Sequence, residues 1–486
     1  MAVITKGTPF SDAEVLERTR SICPICQRPT EAFYVEEKGT VQFTTLCPEH
    51  GAFKTTAAEN AEDYRQWIKN PVINIAPKEA ITKGDPEDKS CPLHCGTCEN
   101  HLQTACCVLI DLTDRCNQHC PYCFAKSEMD ADRKGEPTLS EIERKYDRLL
   151  ELGEERPFNI QLSGGEPTVR EDLPDIIRMA KDKGFHYVQI NSNGKRLALE
   201  EEYAQVLKEA GASVIFMQFD GTKDSIYQVL RGEPLLEIKK KAIRNCELAG
   251  LPVTLVPTIV EGVNTDNIGD MMDFLVEHVN VVKGIHFQPV SFFGRHPEHA
   301  KNKEKDAAQS GDFPGRITMF GLLRKLERQR PQFRYENFCP IATGHTLCCF
   351  YSTYIKEPDG SVRCTLTQSQ KERGVSCCDT GRAAARDIDV IKRDRDFVLN
   401  KWEIAPPEKQ EDNVPGYQSS AEITSLDEFL RYYRRNSFTV TGMAFQDLTN
   451  LDAERVKRCR VQVLSEDGRL IPFCAYNSIY RNPDQV

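Results

Sequence analysis

The stretch Val108-Leu-Ile-Asp-Leu-Thr-Asp-Arg-Cys116-Asn-Gln-His-Cys120-Pro-Tyr-Cys123-Phe124 decides how the rest of the chain is read. Val108-Leu-Ile-Asp111 has the character of a buried β-strand, and the cysteines follow it as Cys116-x-x-x-Cys120-x-x-Cys123. Three thiolates so spaced can wrap a compact loop around one corner of a 4Fe–4S cube, leaving the fourth iron for another ligand. A strand that ends in such a loop delivers it to the C-terminal face of a barrel, where barrel active sites gather. Tyr122 precedes the third cysteine and Phe124 follows it, so an aromatic ring can lie against whatever binds there.

Outward from this stretch, apolar runs alternate with amphipathic ones. The apolar runs are Ala105–Asp111, Asn159–Ser163, Tyr187–Asn191, Val214–Phe219, Val253–Ile259 and Gly284–Val290. Leu139–Leu152 and Asp172–Lys183 carry a helical pattern between them, and Leu139-Ser-Glu141 and Asp266-Asn267 read as helix starts. Alternating strands and helices predict βα units on a parallel sheet. Six strands suit an α/β fold, as an open or partial barrel. The second run leads into Leu162-Ser-Gly-Gly-Glu166-Pro167. Gly164 and Gly165 let backbone approach a ligand closely, and Glu166 can accept a hydrogen bond from an ammonium group. A bare Gly-Gly-Glu is only a turn; its place after a second strand points to function. Ser192 and Asn193 stand in the same position after the third strand.

The 486 residues exceed one compact core, so two to four domains are expected. Hydrophobic (40%) and charged (28%) fractions are those of an ordinary globular protein, and a net charge of -10 argues against a nucleic-acid partner. No apolar run approaches the ~20 residues of a membrane-spanning helix. Met1 to Phe10 lacks an export signal. A cytoplasmic protein is predicted, with any membrane contact peripheral. The 20 cysteines are the outlier. Disulfides need an oxidising compartment, whereas clusters at short fixed offsets read as metal ligands. Isolated Cys246 reads as a buried structural residue.

Cys23-Pro-Ile-Cys26, the strand-like Val41–Leu46 and Cys47-Pro-Glu-His50 form two knuckles around one tetrahedral ion. Zinc and a mononuclear, rubredoxin-like iron both suit the set, and another cysteine could replace His50. Cys91-x-x-x-Cys95-x-x-Cys98 repeats the first spacing, but no strand precedes it and Pro92, His94 and Gly96 mark a loop. It reads as an auxiliary cluster in need of a fourth ligand. Cys339, Cys348, Cys364, Cys459 and Cys474 can supply that ligand and four more for a second auxiliary cluster; which one crosses over stays open. Cys106, Cys107, Cys349, Cys377 and Cys378 carry no assignment. The expected divisions are 1–75 (small metal-binding domain), 76–107 (linker, charged over Lys83–Ser90, and auxiliary loop), 108–295 (barrel) and 296–486 (cysteine-rich auxiliary iron–sulfur extension). Lys301–Gly311, Gln368–Arg386 and Asn413–Ser420 read as polar loops.

The Cys116–Cys123 motif with its aromatic neighbours and the Gly164-Gly165-Glu166 turn together resemble the radical S-adenosylmethionine (SAM) superfamily over roughly residues 105–290. The resemblance implies a partial (β/α)6 TIM barrel of the radical SAM type and a catalytic 4Fe–4S cluster on Cys116, Cys120 and Cys123. SAM would bind the open iron, with its amino group at Gly164, Gly165 and Glu166, its adenine near Tyr122 or Phe124 and its ribose near Ser192 and Asn193. A donor such as ferredoxin or flavodoxin would supply the electron that cleaves SAM to a 5′-deoxyadenosyl radical. A narrower resemblance rests on Cys91-Pro-Leu-His-Cys95-Gly-Thr-Cys98-Glu-Asn-His101, Asp111-Leu-Thr-Asp-Arg-Cys116-Asn117, Gly284-Ile-His-Phe-Gln-Pro-Val-Ser291, Met443-Ala-Phe-Gln-Asp447 and Ile471-Pro-Phe-Cys474-Ala-Tyr-Asn477. These segments are similar to archaeal tetraether lipid synthases and bacterial relatives, some known as pterin methyltransferases, and the likeness favours iron at the N-terminal site. The chain departs from that pattern at Cys106-Cys107, Cys348-Cys349 and Cys377-Cys378, which leaves the substrate open. The first expectation is hydrogen abstraction from unactivated carbon with C–C coupling of lipid alkyl chains. The second is C-methylation of a pterin or similar small heterocycle. A non-catalytic iron–sulfur electron carrier is the third, and it would need neither the barrel nor the Gly-Gly-Glu turn.

Overall fold

In the N-terminal region, strands β1 (Val15–Ile22), β2 (Pro29–Glu37), β3 (Thr40–Cys47) and β4 (Gly51–Ala58) pair antiparallel in that order. The computed structural model describes residues 14–77, 90–128, 136–153, 157–297, 314–374 and 426–481. Cys377, Cys378, the expected loops at 301–311 and 413–420, and most of the 83–90 linker lie outside these residues. The predicted Val41–Leu46 strand falls within β3. Helix α1 (Ala61–Ile68) begins at Asn60, whose side chain accepts from the Glu62 and Asp63 amides, and it buries Ala61, Tyr64 and Trp67.

The six expected strands form the centre of the molecule: β5 (Cys107–Asp111), β6 (Asn159–Ser163), β7 (Val188–Ser192), β8 (Val214–Gln218), β9 (Val253–Val256) and, after the short β10 (Thr258–Ile259), β11 (Val282–Pro289). They pair in parallel, β5 through β9 in chain order and β11 on β9. The predicted single run Val253–Ile259 is two strands because Pro257 has no N–H to donate to a ladder. The connections are helical: α2 (Leu139–Leu152), α3 (Leu173–Asp182), α4 (Lys195–Leu199), α5 (Tyr203–Ala210), α6 (Asp224–Arg231), α7 (Leu236–Leu248) and α8 (Ile268–Glu277). The cap of α2 is Thr138, which trades hydrogen bonds with Glu141 in a capping box. Ile160, Leu162, Ile190, Ile215, Leu255 and Ile285 project outward onto helices, so the alternate residues of each strand face the lumen.

The C-terminal region does more than append cysteines. Its strands are β12 (Cys349–Lys356), β13 (Val362–Cys364), β14 (Ser437–Met443), β15 (Val461–Leu464) and β16 (Leu470–Pro472). Strand β14 pairs in parallel with β11, and β15 in parallel with β5. The order β15-β5-β6-β7-β8-β9-β11-β14 therefore holds eight parallel strands, two more than the six expected, flanked by antiparallel β12 and β16. Sequence periodicity missed this because strands that pair across hundreds of residues leave no local signature. One buried core runs from Tyr34, Phe43, Tyr64 and Trp67 of the N-terminal sheet through the barrel to Phe350 and Phe438. Cys246 is fully buried in α7, as expected.

Asp452 ties the N-terminal sheet to the C-terminal region. Fully buried, it accepts from the Thr19 hydroxyl at 2.6 Å and the Tyr34 hydroxyl at 2.8 Å while capping the helix Ala453–Lys457 through the Glu454 amide at 2.9 Å. Asp452→Ala should lower unfolding free energy by about 2–4 kcal/mol, an N-cap of ~1 plus stranded buried donors. Urea denaturation checks this, and an unshifted midpoint would mean the sheet is held by apolar packing alone.

Candidate active site and metal centres

The ends of β5, β6 and β7 meet at one mouth. The Gly-Gly-Glu turn lies against the segment that leads into Cys116: Gly165 N–H donates to Thr113 O at 2.7 Å and Glu166 N–H to Arg115 O at 2.9 Å. Gly164 has φ +117°, and a Cβ there would strike the Thr113 carbonyl; one on Gly165 would strike that of Arg115. The glycines thus serve a backbone-to-backbone contact, where the sequence suggested room for a ligand. Both still border the central cavity, as do Tyr122, Phe124, Ser192 and Asn193.

Glu166 is almost wholly buried, and burial raises its pKa. Its carboxylate accepts from Thr168 N–H (3.1 Å), the Thr168 hydroxyl (2.7 Å), the Ser192 hydroxyl (2.8 Å) and Asn193 N–H (2.6 Å). It caps the turn Pro167–Val169 and fastens the end of β6 to that of β7. Asn193 Nδ2 donates to Asn117 Oδ1 at 2.6 Å and stands 4.0 Å from Cys116 Sγ. Below it, Lys239 is fully buried, donates to Asn193 O at 2.5 Å, and is held down to a pKa of about 8 by burial.

Two arginines that sequence reasoning passed over clamp the cysteine loop. Arg231 makes a bidentate pair with buried Asp220 (both contacts 2.7 Å), donates to Thr258 Oγ1 (2.9 Å) and reaches Tyr122 O at 2.9 Å. Arg295 exchanges backbone bonds with Cys123 (2.9 and 2.7 Å), and its Nε donates to Cys120 O at 2.8 Å. Burial pushes the Cys116 thiol up to about 12, and Cys116, Cys120 and Cys123 are all free thiols. Burial raises Cys120 too, partly countered by Arg231.

Cys23, Cys26, Cys47 and His50 offer ligand atoms all within 4.8 Å of one another. Burial raises Cys47, but bonds from His50 and nearby amides outweigh it and bring the thiol down to about 7, while burial drives Cys23 up to about 11. The Cys91, Cys95 and Cys98 loop faces Cys459, which also faces Cys474 and Cys348. Burial raises Cys95 and brings Cys474 to about 12. Arg455 lies buried against Cys348 and Cys474. The five distant cysteines are not one set: Cys348, Cys459 and Cys474 border the cavity, while Cys339 contacts Tyr351 and Cys364 contacts Ser352 on the β12 side. Cys106, Cys107 and Cys349 also border the cavity.

A Radical SAM superfamily profile matches residues 110–275, and one of the HMPTM N-terminal zinc ribbon domain matches residues 15–59. The chain is 33% identical over 498 residues to the 7,8-dihydro-6-hydroxymethylpterin dimethyltransferase of Methanocaldococcus jannaschii, spanning 96% of this chain and 94% of that protein. This chain belongs to the radical SAM superfamily. A probable GTP 3′,8-cyclase of Methanothermobacter marburgensis is 32% identical over 36% of this chain and 55% of that protein. Streptococcus suis SuiB bound to its precursor peptide SuiA is a solved structure with 15% identity and a TM-score of 0.37, over 48% of this chain and 47% of that one. The radical SAM family uses a 4Fe–4S cluster and SAM, and the donor set fits: three free thiols on one loop at the barrel mouth. No helix among the described residues is long and apolar enough to cross a membrane.

Polar side chains are set into the lumen of this radical SAM barrel. Asn159, Gln161, Gln189, Asn191, Gln218 and His286 line a cavity of about 460 Å³. Strands of a buried parallel sheet are usually apolar throughout. The alternation in Asn159-Ile-Gln161-Leu-Ser163 and Val188-Gln189-Ile-Asn191 was therefore a signal in the sequence.

Arg231→Met should strand the Asp220 carboxylate and cost about 3–5 kcal/mol, with Arg231→Lys intermediate. Thermal melts and iron content should show the Cys116 loop losing metal while the N-terminal ion stays; full iron retention would disprove the clamp. At the N-terminal centre, Cys47→Ser or a strong chelator at neutral pH should release one metal ion and speed hydrogen exchange in β2 and β3, since a metal site couples to local folding. Unchanged protection would show that the sheet stands without its ion.

Proposed function

We propose that this enzyme is a radical SAM C-methyltransferase acting on a reduced pterin or a closely similar nitrogen heterocycle. The observation that carries the reading is the near full-length similarity to a dihydropterin dimethyltransferase, which favours it over the lipid-coupling expectation from sequence. Cys116, Cys120 and Cys123 would hold the catalytic 4Fe–4S cluster, reduced by a ferredoxin- or flavodoxin-like donor. Bound there, cluster and SAM supply a carbon radical that takes a hydrogen atom. Arg231 and Arg295 fix the loop; Glu166 sets the positions of Ser192 and Asn193 around the SAM site; the lumen holds the substrate away from water. Cys91, Cys95 and Cys98 would hold an auxiliary cluster, with Cys459, which faces Cys95, as the candidate fourth ligand. Cys348 and Cys474 beside Arg455 are candidates for another, and Cys23, Cys26, Cys47 and His50 would hold zinc or iron. Lipid alkyl coupling is a second reading, supported by the rings of Phe124, Phe293, Phe445 and Phe473 packed beside the mouth.

The test is reconstituted enzyme with reductant, methyl-labelled SAM and 6-hydroxymethyl-7,8-dihydropterin. The expected products are methylated pterin, 5′-deoxyadenosine and methionine from the SAM that is cleaved, and S-adenosylhomocysteine from a second SAM that gives up its methyl. Replacing Cys116, Cys120 and Cys123 with Ala should abolish 5′-deoxyadenosine. Replacing Cys91, Cys95 and Cys98 should remove about one cluster's iron and the methylated product while SAM cleavage persists. Turnover with an ether lipid and none with the pterin would overturn the reading, and the reverse pattern between the two variant sets would exchange the two cluster roles.

A further inference from the structure

The polar lining of the lumen has a direction. On one side, the Tyr187 hydroxyl donates to Gln189 Oε1 (3.2 Å), Gln189 Nε2 to Asn191 Oδ1 (2.7 Å), and Asn191 Nδ2 to Gln161 Oε1 (3.4 Å). That run ends on the Gln161 amide nitrogen, a donor at the cavity wall. His286 stands on β11, four strands further around the barrel. The Thr441 hydroxyl is placed to donate to the backbone carbonyl of Ile285 at 3.2 Å, and its oxygen lies 2.8 Å from His286 Nδ1. With that hydroxyl turned to the carbonyl, Nδ1 carries the proton and Nε2 keeps a lone pair. Burial holds the imidazole down to about 4, so the ring is neutral at physiological pH.

Between these walls, the Thr254 hydroxyl is buried and has no hydrogen-bond partner among the described residues. Position 284, its register neighbour on β11, is a glycine and puts no side chain into that layer. Phe216, the register neighbour of Thr254 on β8, offers a ring 6.0 Å from that of His286. Buried polar groups left unmet cost stability, so a lumen built this way fits a ligand that answers them. An alkyl chain would answer none.

We propose that His286 is a specificity-determining residue that reads its substrate's edge: a planar nitrogen heterocycle lies beside Phe216, its exocyclic amino group donating to His286 Nε2 and an acceptor on its other edge facing Gln161. The inference rests on the heterocycle reading above and adds to it the group that recognises the ring. Its test is titration of the holoenzyme with 6-hydroxymethyl-7,8-dihydropterin and with the 2-deamino analogue. Wild type should prefer the amino compound by about tenfold or more, the worth of one hydrogen bond to a buried acceptor. His286→Phe should bring that ratio close to one, and His286→Gln, which keeps an acceptor, should restore much of it. Gln161→Leu should weaken both compounds and leave the ratio standing. A general loss of packing would weaken both alike, so the ratio reads recognition rather than folding. A preserved preference in His286→Phe overturns the inference while leaving the heterocycle reading intact. Failure of wild type to bind either pterin overturns both.

Discussion

A single buried guanidinium organises the mouth of this barrel. Arg231 must be charged, and burial opposes its charge until Asp220 answers it with a bidentate pair. Once paired, its remaining donors reach Thr258 and the carbonyl of Tyr122. One residue of α6 thereby fixes the end of β8, the start of β10 and the cysteine loop together. It also sets positive charge beside Cys120 and Cys123. Thiols pushed up by burial give up their protons only to a metal, and a fixed cation nearby eases the resulting charge. Arg295 repeats the arrangement from the loop after β11.

The cysteine clusters are linked by packing. Ile22, at the end of β1 beside the N-terminal site, packs with Cys95 and Cys474. Phe292 packs on Cys23 and Cys47, and also in the group that holds Tyr122. The N-terminal sheet thus packs with Cys95 and Cys474 and reaches the Cys116–Cys123 loop through Phe292. This explains why one core runs through sheet and barrel and why a buried acid, Asp452, closes the junction.

The sequence was most legible where its signals are local. Cysteine offsets, the Gly-Gly-Glu turn after a strand and 3.6-residue periodicity over Leu139–Leu152 all lie within a few residues, and each is present in the fold. The cap of α2 came out one step earlier, at Thr138, because a capping box is decided by which hydroxyl reaches which amide. The polar beat inside β6 and β7 was readable too, but it gains meaning only when those faces turn toward a shared lumen.

What the sequence determined by itself was the class of chemistry and the central sheet: three thiols on one loop, a turn that meets it, and six strands joined by helices. Tertiary structure alone decided that β14 and β15 extend the barrel at both edges, that Cys459 faces both Cys95 and Cys474, and that Arg231 and Arg295 hold the loop. It also set the Thr441 hydroxyl, 155 residues away in the chain, against His286 Nδ1. The physical reason is the same in each case. Hydrogen bonds and burial depend on distance in space, and separation along the chain carries no information about them until the chain has folded.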